Sequence, residues 1–563
     1  MKPAVRAAAK PPAPKPTTLS GVWLILAGHP DWVAWVGLVL ALLCILQSLS
    51  RADAGTLGIW ISSDTLWLVN VFTDLFHDGY TLAGWHFSIA PCWFPDVTAV
   101  GLFWALTRNV VVATMLAGIF QAVFMVAAFH VISKTLGVRF VDWQDSMLLL
   151  VAVLVALYVA AKPGNVYPAL FKYFMTQSHV GSMLAVLWGW ALALILIHRR
   201  SEDRALPAAL VVAYFALCLL SGMSNVLFFP HMLAPLTLAL GASVFFGVVN
   251  IGKCWLPIGV GWPAAALGAV LNRVLFTVAG VSTESGISYD RSLTALDTFM
   301  RGFTAKVLAH DWLHLVALIF VVVCVGYVAW TIRTLVVRGR TNVRSTQIMR
   351  AIFLATCLLS VVFSAAVIIV GGSVGLVELK DYVWSMHYLH QIFLFPIFAL
   401  PMTLWWLMER VLPASKLPVT VWAGALLALL LPAGKFAGTP FPTTPIYAYR
   451  PPLVRLLDQT AATTPLHYGL AGYWQARLIT LLSKSGLRAY AVVGDLKPFL
   501  WVNNEQWYRQ SFEDRTKPPK YDFVVLDEPM FKITRQTAVR VFGEPVRELE
   551  HDGTRILLYV GAR

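Results

Sequence analysis

Apolar residues run along most of this chain in long uninterrupted stretches, not in the alternating or three-to-four spacing of a half-exposed element. Stretches long enough to cross about 30 Å of hydrocarbon fall near 33–50, 109–133, 145–161, 180–197, 206–222, 231–249, 256–280, 311–332, 351–371, 387–407 and 418–433. The pattern predicts about eleven membrane spans. Ahead of them, residues 1–31 place Lys2, Arg6, Lys10 and Lys15 among Ala and Pro, with no acidic residue before Asp31. A cleaved signal peptide has a much shorter basic region before its apolar core, so this segment is expected to be a cytoplasmic tail. Beyond about 434 the pattern changes. A linker rich in proline (Pro440, Pro442, Pro445, Pro451, Pro452) leads to 467–484, whose apolar spacing predicts a helix. Segments 487–493, 521–526 and 554–560 predict short strands, and 532–541 a second helix. The expected organisation is a basic tail (1–31), a membrane domain (32–433) with large loops at 51–108 and 281–310, and a small α/β domain (434–563). A hundred-odd residues suffice for that domain to bury its own core.

Composition narrows the class. Of 563 residues, 58% are hydrophobic and only 13% charged, and mean hydropathy is +0.69. Soluble domains run near a quarter charged, so a single large soluble enzyme is excluded. Aromatic content of 13% and the lack of a short repeat exclude a disordered or fibrous chain. The six cysteines lack metal-ligand spacing to one another or to His, which supports neither a disulfide framework nor a zinc site.

The net charge of +14 comes from 43 Lys+Arg against 29 Asp+Glu, and its distribution matters more than its size. With the N-terminus inside, the cytoplasmic connections carry Lys134 and Arg139, then Arg199, Arg200 and Arg204, then Lys253. They continue with Arg333, Arg338, Arg340, Arg344 and Arg350, and end with Arg410 and Lys416. These loops are short and basic, whereas the alternate loops are longer and mixed in sign. The positive-inside rule then predicts a cytoplasmic N-terminus and an external C-terminal domain, with the basic excess facing anionic lipid and not nucleic acid.

The acids gather in the first external loop, at Asp53, Asp64, Asp74, Asp78 and Asp96. Asp64 follows Ser62 and Ser63 and precedes Leu66, Leu68, Val69 and Phe72, which predicts an amphipathic interfacial helix with Asp64 at or near its N-cap. Asp96 after FP reads as the cap of the next helix, and Asp74, His77 and Asp78 as a solvated face. The plain alternative for Asp64 is that it is only a cap.

An early Asp in a long external loop after the first span resembles the arrangement of the GT-C membrane glycosyltransferases, which include protein O-mannosyltransferases and the aminoarabinose transferase of lipid A. The resemblance covers topology across nearly the whole chain, with Asp64 in SSDTLWL, WFPD at 93–96, His179 in SHVGS and YW at 473–474. It implies an enzyme of a bacterial inner membrane that takes a sugar from a polyprenyl-phosphate carrier on the outer face, with the loop Asp as base. The acceptor would be a glycan, lipid or protein. Many members pair two acids where this chain has Ser63-Asp64, which speaks against a metal-dependent version, and no cofactor is expected.

The residues suit that chemistry. An acceptor hydroxyl must lose its proton as it attacks an anomeric carbon becoming oxocarbenium-like, and one carboxylate beside it can take that proton. The departing phosphate needs cations or donors in a shielded site. Candidates on the same face are Arg291, Arg301, Lys306 and Lys380, with His387 and His390; their plain alternative is to anchor lipid headgroups. His387 and His390 share a helix face but lack an evident third metal ligand. For sugar or acceptor contact the candidates are His179, Tyr473, Trp474, Trp501 and Asn503, since aromatic faces stack on sugars and amides bond hydroxyls. The alternative for the tail aromatics is the core of a small domain. Two other functions stay open: a lipid or polar-solute transporter or flippase, which would want Asp, Glu or His relays within its spans, and a non-catalytic sugar-binding scaffold, which would give Asp64 no role.

Overall fold

A computed structural model of the chain describes residues 61–88, 90–137, 180–284, 292–338, 345–370 and 448–559, with Ile392, Phe395, Pro396 and Ala399. The first loop holds helix α1 (Ser63–Thr73), a π-helical turn (Asp74–Asp78), strand β1 (Trp85–Ser88), a second π-helical turn (Trp93–Val97) and α2 (Thr98–Thr107). The bundle follows with α3 (Val110–Thr135), α4 (Val180–Ser201), α5 (Ala208–Ser224), α6 (Ala234–Phe245) and α7 (Ile251–Ala279). Then come β2 (Ser282–Glu284), α8 (Ser292–Leu308), α9 (Trp312–Arg338) and α10 (Ser345–Val370).

Among the described residues, five helices are long and apolar enough to cross a membrane: Val110–Thr135, Val180–Ser201, Ile251–Ala279, His314–Val337 and Ser345–Val367. Two shorter apolar helical stretches, Ala208–Ser224 and Phe229–Phe245, lie among them. The expected runs at 33–50, 145–161 and 418–433, and nearly all of 387–407, lie outside the described residues. The five helices of spanning length are apolar along most of their length, as hydrocarbon requires. On α7, Leu267, Val270, Leu271, Val274, Leu275 and Val278 are exposed together, a face that water would penalise and lipid would not. Where helices meet, small residues let backbones touch. A Cβ added to Gly268 of α7 would lie 2.0 Å from the Leu219 carbonyl oxygen of α5, and one added to Gly222 would lie 2.2 Å from that of Ala265.

The tail comprises α11 (Pro452–Ala461), β3 (Tyr468–Ala471), α12 (Tyr473–Leu482), β4 (Arg488–Val493), β5 (Lys497–Pro498), β6 (Asn503–Asn504), α13 (Gln506–Arg509), β7 (Tyr521–Val525), α14 (Arg535–Phe542), β8 (Arg547–His551) and β9 (Thr554–Leu558). The main sheet runs β5-β4-β3-β7-β9-β8, with β3 parallel to both neighbours. The helix expected over 467–484 is therefore corrected: its first turn is the central strand. Tyr-Gly-Leu-Ala is buried at all four positions, and a continuous apolar run that short has no periodicity to separate strand from helix.

A second sheet joins three distant parts of the chain. β1 of the first loop pairs in parallel with β2, which follows α7, and antiparallel with β6 of the tail, Trp85 opposite Asn504. Apolar residues of the first loop, such as Leu66, Val69, Trp85 and Phe87, form one continuous cluster with tail residues such as Tyr490 and Trp507, while the α3–α10 bundle forms another. This overturns the expectation of an amphipathic interfacial helix at 63–73. Thr65 through Val71 are all buried, because the tail covers the face that the sequence pattern leaves to solvent or lipid.

Candidate functional site

The site forms where α1 meets the start of α12. Ser62, in extended conformation, precedes α1, and its N–H is accepted by the Thr65 hydroxyl at 3.0 Å. The N-terminal backbone is thus closed by Thr65, and Asp64 is not needed as its cap. Asp64 sits half-buried in the first turn, where the helix dipole favours a negative charge. Its Oδ1 accepts from the Tyr473 hydroxyl at 2.8 Å. Burial and the neighbouring Asp64 charge push the Tyr473 phenol well above its usual range, so it stays a donor at physiological pH.

Arg477, one turn further along α12, holds this contact from behind. Its Nη1 donates to the Ser63 carbonyl at 2.8 Å, its Nη2 to the Val502 carbonyl, and its guanidinium lies 5.4 Å from the Tyr473 ring centre. The Ser63 hydroxyl donates to the Tyr473 carbonyl at 2.5 Å. Two elements more than four hundred residues apart are tied through backbone and side chain together.

The topology of the tail explains why α12 begins here. From β3 the chain crosses through α12 to β4 on one side, while β7 lies on the other. In open α/β sheets the crevice at the strand ends where the order reverses is the usual ligand site. Gly472 and Tyr473 follow β3 at that reversal, and Asp527 follows β7, accepting from Gln475 Nε2 at 3.2 Å.

The other described acids of the loop are spoken for, which corrects two expectations. Asp74 and Asp78 do not lie on a solvated face; they are 0% and 7% exposed, and of the expected trio the His77 side chain is the exposed one. Asp74 accepts from Asn504 Nδ2 at 2.9 Å and from Trp507 Nε1 at 3.0 Å. Burial raises its carboxyl to about 8. Burial would also raise Asp78, but Arg488, 2.8 Å away, and His77 hold it below its usual range. Asp96 does not cap its own helix. It is buried, accepts from Gln121 Nε2 at 2.8 Å and from the Gly181 N–H at 3.2 Å, and so caps the described start of α4; burial raises it to about 7.

The remaining candidates are distributed as follows. Asn503 is buried and donates to the Phe499 carbonyl and the Tyr508 hydroxyl, both at 2.9 Å. Trp474 packs edge-on to Tyr473 and directs its N–H at Met530 Sδ. Trp501 is half-buried against the tail core. Arg301 is exposed on α8 and paired with Asp297, and Lys306 is half-buried in the last turn of that helix. Arg291, His179, Lys380, His387 and His390 lie outside the described residues. No group of three His, Cys, Asp or Glu side chains among the described residues could hold a metal. The sequence expectations do not include Arg477; the signal for it is the helix over 473–482, which sets it on the face of Tyr473. No family model, curated protein or solved structure matches the chain.

If Asp64 acts on substrate, Tyr473 is its positioning residue. Tyr473→Phe is expected to lower kcat about tenfold, from loss of one hydrogen bond to a charged group, with KM nearly unchanged. Steady-state kinetics beside a melting curve checks this, and a KM effect alone would remove the positioning role.

Proposed function

We propose that the chain is a membrane glycosyltransferase that moves a sugar from a polyprenyl-phosphate carrier to a glycan, lipid or protein hydroxyl at the outer face of a bacterial inner membrane. Asp64 is the general base. The acceptor O–H gives its proton to Asp64 as its oxygen bonds to the anomeric carbon from the side opposite the carrier. The bond from that carbon to the phosphate oxygen breaks, the sugar inverts, and polyprenyl phosphate leaves without needing an acid.

One observation carries the reading. Among the described acids of the first loop, Asp64 alone is half-open to solvent, and a hydroxyl from a separate domain, at that domain's sheet reversal, is bonded to it. A base needs both access and a fixed direction. The cations proposed for the leaving phosphate are Arg291, Arg301, Lys306, His387 and His390, with His179 near the acceptor. Because Tyr473 and Asn503 are buried and already bonded, stacking on sugar falls to Trp474 and Trp501. The transporter reading is weaker, since none of the five candidate spans contains an Asp or Glu, and their histidines, His130, His198 and His314, lie toward span ends.

The test is turnover. The full chain in lipid nanodiscs, given labelled polyprenyl-phosphate sugars with glycan, lipid and peptide acceptors, is expected to release carrier phosphate with at least one pair. A folded protein inert with every carrier, yet moving a labelled lipid across proteoliposomes, would favour the transporter.

A further inference from the structure

We propose that the joint between α1 and the tail domain is a binding site for one internal water molecule, held by Asn70 Oδ1, Asn503 Oδ1 and the Nε–H of Arg477. The inference stands apart from glycosyl transfer, because it concerns how the two parts of the chain are joined.

Three side chains converge on one cavity of about 10 Å³, lined by Asn70, Arg477 and Asn503 with Tyr473, Trp507 and Ala491 among others. Asn70, Arg477 and Asn503 are 1%, 5% and 1% exposed. Each brings one polar atom that has no hydrogen-bond partner among the described residues: Asn70 Oδ1, Asn503 Oδ1 and Arg477 Nε. Buried polar groups in native proteins are almost always bonded to protein or to ordered water. A polar cavity needs roughly 10–15 Å³ and two to four partners to hold a water molecule, and this one offers both.

The donor set selects the ligand. Two carbonyl-type oxygens would repel an anion, and a guanidinium N–H would repel a cation. Water donates to the two oxygens and accepts from Arg477. The orientation of Asn503 is fixed by its Nδ2, which donates to the Phe499 carbonyl at 2.9 Å, a group that can only accept. Asn70 can turn over. Its Nδ2 now faces Asp74 Oδ1 at 3.4 Å. With Asp74 protonated, a turned Asn70 would accept a hydrogen bond from the Asp74 O–H through Oδ1 and present Nδ2 to the cavity. Water satisfies this arrangement too, by accepting twice and donating once, so the site tolerates either state of Asp74. The bound water also completes the hydrogen bonding of Arg477, whose Nη atoms hold the Ser63 and Val502 carbonyls.

The experiment is an electron cryomicroscopy map of the full chain in a nanodisc with an antibody fragment, at a resolution where ordered waters appear. One peak is expected about 2.6–3.2 Å from each of the three atoms. An empty cavity in a map that shows other buried waters, or direct pairing of Arg477 Nε with a protein oxygen, would overturn the proposal. Two variants provide a second readout. Ala491→Ser adds a hydroxyl at the cavity wall that can accept from Arg477 but donate to only one of the two amide oxygens, and is expected to remove the peak and to lower Tm less than a carbon filling does. Ala491→Val fills the space with carbon and strands the three polar atoms, and Tm is expected to drop by about 4 °C or more. A Val variant as stable as wild type would mean a dry cavity and would overturn the proposal independently of activity.

Discussion

Asp64→Asn is expected to lower release of carrier phosphate by about 10²–10⁴-fold, the usual worth of a positioned general base, while the protein folds and melts like wild type. The two halves of this result have separate causes. Asparagine keeps the shape of the side chain and an oxygen that can accept from the Tyr473 hydroxyl, now 2.8 Å from Asp64 Oδ1. The start of α1 is closed by Thr65 on the Ser62 N–H and by Arg477 on the Ser63 carbonyl. None of those contacts needs a charge at residue 64. What the amide cannot do is take a proton from an acceptor hydroxyl. Single-turnover rates of wild type and variant in nanodiscs, with melting curves alongside, separate chemistry from stability. Equal rates would remove Asp64 as the base, and a variant that fails to fold would show that its charge supports the joint instead.

Raising the pH from about 5 to 7.5 is expected to destabilise the junction between the first loop and the tail, by about 3 kcal/mol from Asp74 alone. The folded carboxyl is raised by burial to about 8 from its ordinary value of 3.8. Between those values the folded protein keeps a proton that the unfolded chain has released, so folding takes up protons. Stability from this group is therefore full below about 4, falls by about 1.4 kcal/mol per pH unit as pH rises, and stops falling above about 8. Asp96, raised to about 7, adds a slope of the same sign. Asp78 acts oppositely: its lowered carboxyl, paired with Arg488, contributes stability that is lost on acidification. Asp74→Asn is neutral at every pH and can still accept from Asn504 and Trp507, so it is expected to match wild type near pH 5 and to melt higher near pH 8. Thermal unfolding across pH 5–9 decides this, and parallel curves for the two proteins would show that Asp74 carries no such linkage.

Much of the molecule is legible in the sequence alone. The apolar runs at 109–133, 180–197, 256–280, 311–332 and 351–371 correspond to helices of spanning length, because in hydrocarbon a backbone must satisfy its own hydrogen bonds and composition alone marks where that occurs. The strands at 487–493, 521–526 and 554–560 and the helix near 532–541 were legible for a similar reason, each having a local period or a β-branched run bounded by turns. Where local signal was absent, reading failed. The strand at Tyr468–Ala471 has no period, and the burial of α1, Asp74 and Asp78 comes from residues over four hundred positions away.

Asp64 shows the division most clearly. Charge sorting along the chain singled out the first loop, and spacing placed this residue at a helix start, both local properties of the sequence. That the neighbouring acids are consumed by Asn504, Trp507, Arg488 and Gln121, and that Tyr473 reaches Asp64, were decided only by tertiary structure. The physical reason is that hydrophobicity and helix ends are fixed by neighbours in the chain, whereas a carboxylate's access, partners and protonation are set by whatever folds against it.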